Sequence, residues 1–386
     1  MTRLNLYLFV LLSLLLSSCS YKRLYVKYGQ AQQRFVDSSR RDGVIRIMMD
    51  RFGTIYPGTE ISDQIIKKHY SVLNQVYQFN SAVFERALQY NQLPAGSTPD
   101  QLQDKLIEKI STHINQAAQG KKLVFLIHGF NKHPFKPTNA SAYQENRDMR
   151  EKILERYQSD SFQFVELYWD GLTWANTVGV LGPFVSMKIW DNAQAASANV
   201  GLEFRRILNK INAPNAYVIT HSLGASVATT ALFNVDKYNN SSFRQNYMNK
   251  YGDTSKYRSP AGSFKIGLLA PAIPGRNTFD EFYNRTPATP SLSENLSVLV
   301  GFNRNDRVLR KFKIAKPTRI GSTSLGCIME EVDSTRTLVN VGGRNLFDMV
   351  SFSYRENQKK QKAHAFHKYV LNEDAMNEFL KKLFGY

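Results

Sequence analysis

The residues around Ser222 have the pattern of a reactive serine placed on a tight turn. The heptapeptide from Thr220 to Ser226 reads Thr-His-Ser-Leu-Gly-Ala-Ser and follows the apolar run from Ala216 to Thr220. A strand that passes into a helix through such a turn exposes the serine hydroxyl and needs small neighbours for steric reasons. The helix N-terminus favours a developing oxyanion. The pattern predicts a nucleophile at Ser222; a serine that only caps the helix is the alternative.

A second candidate segment directly follows another apolar run. Leu123 to Ile127 reads as a buried strand and is followed by His128-Gly129-Phe130. A simple turn at Gly129 is one interpretation of this segment. A metal site on His128 and His133 lacks a third ligand, so no metal and no cofactor are predicted.

An acid and two histidines follow later in the chain. Asp306 lies in a polar turn directly after the apolar run from Leu296 to Phe302, and His364 and His367 lie near the C-terminus. A carboxylate at the carboxyl end of a strand is well placed to orient an imidazole and to stabilise its protonated form. We predict this role for Asp306, with an ordinary polar turn as the alternative.

Together these motifs resemble the α/β-hydrolase superfamily, in its bacterial serine esterase and lipase-like branch, over about residues 120–386. The order serine, acid, histidine is the order of that family. The resemblance implies that His128-Gly129-Phe130 is the oxyanion loop, in which the backbone N–H groups of Phe130 and Leu223 bind the oxyanion and His128 holds the turn rather than reacting. Thr220 departs from the family pattern, which has a glycine there, and indicates a more crowded turn. The stretch Ser322 to Cys327 also looks like a short segment of relatives with unknown substrates.

The base is predicted to be His367, with His364 as the alternative. Asn372 is a good helix N-cap, so both histidines precede the last helix, where the resemblance places the base. His364 follows a lysine-rich run that should be solvated, whereas Phe366 and Tyr369 flank His367 and can pack it against the site. The His-Lys-Tyr sequence also resembles a His-x-aromatic pattern of esterase relatives.

The first residues predict export. Residues 1–18 carry Arg3, then the apolar run Leu4 to Leu16, and read as a signal peptide that is too short to span a membrane comfortably. The end of this segment, Leu-Ser-Ser-Cys, resembles a lipoprotein lipobox, which implies that Cys19 is lipidated; an ordinary cleaved signal is the alternative. We therefore expect a lipid-anchored protein of the cell envelope. No aspartate follows Cys19, which in a cell with two membranes favours the outer membrane over the inner one. Cys327 would then have no disulfide partner.

The remaining pattern predicts an α/β fold. We divide the chain into a lipidated tether at 19–58, an N-terminal helical extension at 59–119 and the α/β-hydrolase domain at 120–386. In that domain short apolar runs alternate with helical patterns, which favours a mostly parallel sheet flanked by helices. The runs are Leu123 to Ile127, Phe162 to Trp169, Ala216 to Thr220, Phe264 to Leu269, Leu296 to Phe302 and Phe347 to Tyr354. Thr98 predicts a capping box at the start of one extension helix.

Composition limits the partners. Lys and Arg number 50 against 32 acidic residues, a net charge of +18, which attracts acidic lipid head groups or polysaccharides. The basic residues are scattered and no nucleic-acid motif is visible, so no specific nucleic acid is expected. The apolar, glycine-rich segment Asp170 to Trp190 predicts a lid or acyl pocket, or else a buried helix pair. We therefore expect an ester or lipid substrate. A thioesterase or amidase, or an inactive hydrolase fold that binds envelope components, remains an alternative, and the oligomeric state stays open.

Overall fold

The protein is described by a computed structural model at residues 42–58, 72–130, 132, 134, 141–157, 161–171, 182–233, 262–276, 278–279, 296–312, 323–354 and 360–385. The side chains of residues 182–189, 191, 311, 312 and 341 are not described. The predicted signal peptide and Cys19 lie outside these residues, as do residues 172–181 of the predicted lid.

The centre of the fold is a seven-stranded sheet in which every strand pairs with its neighbours in parallel. The strand order is β1-β3-β2-β4-β5-β6-β7. The strands are β1 (Ile45–Met49), β2 (Lys122–Ile127), β3 (Phe162–Trp169), β4 (Asn215–His221), β5 (Ser263–Leu269), β6 (Leu296–Phe302) and β7 (Phe347–Ser351). Helices connect and cover them, so the predicted α/β class is confirmed.

Ten helices lie within the described residues: α1 (Leu73–Phe79), α2 (Ser81–Tyr90), α3 (Pro99–Ala117), α4 (Ala142–Leu154), α5 (Gly182–Leu208), α6 (Gly224–Leu232), α7 (Arg307–Phe312), α8 (Met329–Val339), α9 (Phe366–Val370) and α10 (Glu373–Phe384). A 3₁₀ turn spans Val341–Gly343. The predicted capping box is present at α3, where Thr98 and Gln101 exchange side-chain and backbone hydrogen bonds. The predicted N-cap Asn372 precedes α10, but its side chain donates to Tyr354 O instead of capping the helix.

The central strands are apolar along almost their whole length because both faces of the sheet are covered. All eight residues of β3 are buried, as are the last five of β2. Parallel strands with helices on both faces have this pattern, since neither face meets water. The continuous apolar runs in the sequence therefore predicted β2 to β6 closely. The last predicted run extended to Tyr354, whereas β7 ends at Ser351.

The predicted tether is wrong for its last part, because Ile45–Met49 form the edge strand β1. This strand pairs with Val165–Trp169 of β3. A charged residue inside the strand is accommodated by a buried partner, since Arg46 Nε lies 2.9 Å from Glu166 Oε2. The predicted helical extension also shares the hydrophobic core of the sheet, into which Leu102 and Ile107 of α3 are buried.

The strand order reverses at β2. From β2 the chain passes to β3 on one side, and then to β4 on the other side of β2. In open parallel sheets, ligands bind beyond the carboxyl ends of the strands at the point where the order reverses. His128 follows β2 and Ser222 follows β4, so both predicted motifs lie at this point.

Candidate active site

Ser222 occupies a strained turn between β4 and α6. Its φ is 53°, one of three positive values among non-glycine residues in the described part of the chain. The turn is held by its backbone: Ser222 N donates to Leu269 O at 3.0 Å, and Ser222 O accepts from Ala225 N at 3.2 Å and Ala272 N at 3.1 Å. Such conformations persist where the surroundings fix them, and they concentrate at functional sites.

Two glycines allow the loop after β2 to lie directly against this turn. A Cβ on Gly224 would lie 2.6 Å from His128 O, and one on Gly129 would lie 3.0 Å from Ser222 Cβ. Any larger residue would push the two segments apart. The close approach explains why both motifs need glycine, and it brings the backbone after β2 beside the serine.

His364 bridges the serine and the acid. Its Nε2 lies 2.8 Å from Ser222 Oγ, and its Nδ1 lies 2.8 Å from Asp306 Oδ2. A carboxylate only accepts, so the proton sits on Nδ1 and leaves Nε2 as the acceptor for the serine hydroxyl. In this tautomer the ring can remove the serine proton.

The histidine that bridges Ser222 and Asp306 is therefore His364 and not His367, which was predicted for that position. The segment that we expected to be a loop contains the short helix α9, in which Phe366 and Tyr369 are both buried. Residues three apart share one face of a helix, whereas the next residue after Phe366 lies about 100° away from that face. His367 accordingly interacts electrostatically with Asp148 of α4, and His364 remains in the loop before α9.

Asp306 is saturated with hydrogen bonds. Its Oδ1 accepts from Val308 N at 2.9 Å and Leu309 N at 3.1 Å, and its Oδ2 accepts from His364 Nδ1 and from the Tyr369 hydroxyl at 2.6 Å. Burial alone would raise the pKa of this carboxyl, but the hydrogen bonds from His364 and Tyr369 hold the pKa of Asp306 below its ordinary value. The acid is thus fixed in place and ionised.

Tyr369 is a site residue that the sequence did not identify as such. It was expected only to pack, yet its hydroxyl also accepts from Asn303 Nδ2 at 3.0 Å. Burial and the neighbouring Asp306 raise the pKa of Tyr369 well above its ordinary value, so it stays a donor. A polar function for a buried tyrosine could have been suspected, because a buried hydroxyl needs a partner.

His128 holds the loop after β2, as expected. Its Nε2 accepts from Trp169 N at 3.0 Å, its Nδ1 lies 2.8 Å from Gly129 O, and the Trp169 indole donates to His128 O at 2.9 Å. Burial lowers the pKa of His128 to about 3. The ring is therefore neutral and fully used in structural contacts.

The predicted oxyanion donors both belong to segments next to the serine. Leu223 directly follows Ser222, and Phe130 directly follows Gly129, where an added Cβ would lie 3.0 Å from Ser222 Cβ. Among the described residues, no acceptor is recorded for the backbone N–H of either one. The Phe130 ring packs edge-on against Trp190 of α5, with centroids 5.4 Å apart, which links the loop to that helix.

Comparisons with protein-family models and with curated proteins gave no match for this chain. In the parts of the chain that the structure describes, no three His, Cys, Asp or Glu side chains converge as metal ligands. No helix in those parts is long and apolar enough to cross a bilayer. Cys327 is a buried thiol whose Sγ lies 3.6 Å from Thr323 O.

Proposed function

We propose that this protein is a serine hydrolase of the α/β-hydrolase type that cleaves carboxylic esters through an acyl-enzyme. The observation that carries the proposal is the unbroken chain from Ser222 Oγ through the His364 ring to Asp306 Oδ2, with 2.8 Å at each step. A nucleophile, a base and an orienting acid in this geometry define the triad. The positive φ of Ser222 adds to the case.

The proposed reaction begins with proton transfer from Ser222 Oγ to His364 Nε2 as the oxygen attacks the ester carbonyl. The carbonyl oxygen becomes an oxyanion facing the N–H groups of Phe130 and Leu223, where each donor is worth about 10²–10³ in rate. His364 then gives its proton to the departing alcohol oxygen, which leaves an acyl group on Ser222. A water repeats these steps and releases the acid. Asp306 stabilises the imidazolium in both halves.

Esters are preferred as substrates over amides because of the chain's apolar composition near the site. The segment from Asp170 to Trp190 follows β3 at the same sheet edge and is rich in apolar and glycine residues. A pocket lined by residues of this composition would suit an acyl chain. Thioesters and amides would use the same residues. An inactive binding protein would have no need of a histidine hydrogen-bonded to both Ser222 and Asp306, which counts against that alternative.

We also propose that the protein is held in the cell envelope by a lipid on Cys19. The support is the Leu-Ser-Ser-Cys sequence after an apolar leader, together with the net charge of +18, which suits an anionic membrane surface. A lipid or ester substrate in that membrane would then lie close to the enzyme.

The proposal is tested with a fluorophosphonate probe, which reacts with an activated serine whatever the natural substrate. We expect the mature protein to be labelled at Ser222 and Ser222→Ala to be unlabelled with an unchanged circular dichroism spectrum. Ser334→Ala, on α8, is the matched control and should label normally. Labelling that survives in Ser222→Ala would refute the assignment of the nucleophile.

A further inference from the structure

Besides the hydrogen bonds that join Ser222, His364 and Asp306, a second series of polar contacts reaches His364 through His221, the residue before the proposed nucleophile. The ring of His221 is buried, and its Nε2 lies 3.0 Å from the backbone oxygen of His364. A carbonyl oxygen only accepts, so Nε2 carries the proton. Burial lowers the pKa of His221 well below its ordinary value, and the nearby His364 and Lys132 lower it further. His221 is therefore neutral, and its Nδ1 is an acceptor.

The polar contacts continue to an ion pair between Glu145 and Lys132 beside the predicted oxyanion loop. Glu145 of α4 is only 3% exposed, and its Oε1 lies 2.6 Å from Lys132 Nζ. Lys132 comes two residues after Phe130. Burial raises the pKa of Glu145, while Lys132 and, more weakly, His364 act to lower it. The carboxylate is thus close enough to both the oxyanion loop and the base to interact with them.

One water molecule fits between Glu145 and His221. Glu145 Oε2 lies 3.9 Å from His221 Nδ1, too far for a hydrogen bond, and neither atom has a hydrogen-bond partner in the described residues. Both residues line a cavity with about 10 Å³ open to the centre of a water molecule, about the room that one water needs. Both atoms are acceptors, so a single water can donate one hydrogen to each.

On the basis of the proposed function, we propose that Lys132, Glu145 and His221, joined by one buried water, form a polar chain that positions His364. The chain links four parts of the site: the loop after β2, helix α4, the strand that carries the nucleophile and the loop that carries the base. His221 fixes the backbone of His364, while Asp306 fixes its ring. These three are positioning residues, since none of them touches the reacting atoms.

The charges around His364 determine how the chain would be detected. Asp306 and Glu145 are its acidic neighbours, Lys132 is the basic residue paired with Glu145, and His221, His128 and Tyr369 are uncharged. An opposite charge within ~4–6 Å shifts a titration by about 1–3 units. The His221 ring lies beside both His364 and Glu145, so we expect removal of the Glu145 charge to move the acid limb of the labelling rate by less than this, roughly 0.5–1 pH unit.

The first test measures the rate of fluorophosphonate labelling of Ser222 against pH. In Glu145→Gln the imidazolium loses a negative neighbour. The acid limb, which is the low-pH side of the plot of labelling rate against pH, should therefore move to lower pH by roughly 0.5–1 unit. The double variant Lys132→Met with Glu145→Gln also removes the cation, whose effect opposes that of Glu145, so it should move the limb in the same direction by a smaller amount. Asp148→Asn, on the same helix near His367, is the matched control and should keep the wild-type limb. A wild-type limb in Glu145→Gln would overturn the proposal.

The second test separates the hydrogen bond of His221 from its packing. His221→Phe keeps a ring but has no donor, so labelling should slow by about tenfold. His221→Gln can donate to the His364 oxygen and should recover part of the rate. Equal rates for His221→Phe and wild type would overturn the positioning role. If wild type itself were not labelled at Ser222, the proposed function would fail instead.

A crystal structure of the wild-type protein tests the bridge. We expect a water within hydrogen-bond distance of both Glu145 Oε2 and His221 Nδ1. Direct contact between these two atoms would overturn the water and with it this form of the chain.

Discussion

Replacing Tyr369 with phenylalanine removes one hydroxyl and leaves the ring in place. That hydroxyl donates to Asp306 Oδ2 at 2.6 Å and accepts from Asn303 Nδ2 at 3.0 Å. Asn303 keeps its other bond, to Gln361 O at 3.1 Å. The ring contact with Phe352, with centroids 5.4 Å apart, is also kept. The variant should therefore fold, and its effect should pass through Asp306.

The size of the effect follows from the way Asp306 is held. A hydrogen bond to a charged group is worth about 1.5–3 kcal/mol, so the Asp306 carboxylate loses about that much stabilisation in the variant and its pKa should rise. His364 donates to the same oxygen. A carboxylate that has lost its tyrosine donor attracts the imidazolium more strongly. The acid limb of the pH–activity profile should therefore move to higher pH, by less than the roughly 1–2 pH units that the whole hydrogen-bond energy would give.

The assay is the pH dependence of Ser222 labelling and of hydrolysis of an activated aryl ester. Tyr143→Phe, on α4 beside Arg46, is the matched control and should leave the limb unchanged. The expected direction is opposite to that of Glu145→Gln, which helps to distinguish electrostatic effects from loss of fold. If Tyr369→Phe reduced the rate at every pH without moving the acid limb, the Tyr369 hydroxyl would not act through the charge of Asp306, and this prediction would be refuted.

Three further outcomes are expected. Asp306→Asn should keep the circular dichroism spectrum and lower ester turnover by roughly 10⁴-fold, because the imidazole loses its orienting anion; a loss below about tenfold would indicate another carboxylate. In detergent phase partitioning of cell fractions, the wild-type protein should enter the detergent phase and Cys19→Ala should stay in the aqueous phase. Equal partitioning of the two proteins would contradict the lipid anchor on Cys19. Burial raises the pKa of Asp50 from 3.8 to about 6. The native state therefore binds this proton more tightly than the unfolded chain does. As the pH rises from about 4 to above 6, the contribution of Asp50 to the free energy of unfolding falls by ~3 kcal/mol. The free energy of unfolding, measured with urea from about pH 4 to 7, should change less with pH in Asp50→Asn than in wild type. An equal pH dependence in the two proteins would count against this titration.

The sheet was largely readable from the sequence because its central strands are buried on both faces. Continuous apolar runs then mark β2 to β6 with little error. The edge strand β1 was missed because Arg46 interrupts it. The partner that makes this charge acceptable, Glu166, is 120 residues away, and no local pattern reveals such a pair.

In the site, the local signals were read correctly and the distant ones were not. The turn at Ser222 and the loop at Gly129 are encoded by neighbouring small residues, so the sequence located them. The choice of His367 failed because it treated residues 366–370 as a loop, whereas their helical spacing turns His367 away from Phe366 and Tyr369. Glu145 was missed because it lies in a polar helix and becomes significant only through tertiary contacts.

The most direct test of the central claim compares His364→Ala with His367→Ala. Each purified variant is reacted with the fluorophosphonate probe and assayed with an aryl ester at neutral pH, with circular dichroism to check folding. Because His364 alone bridges Ser222 and Asp306 in the described residues, we predict a loss of roughly 10⁴-fold or more in His364→Ala. His367→Ala should stay within about threefold of wild type. Near-normal labelling of Ser222 in His364→Ala would contradict the account.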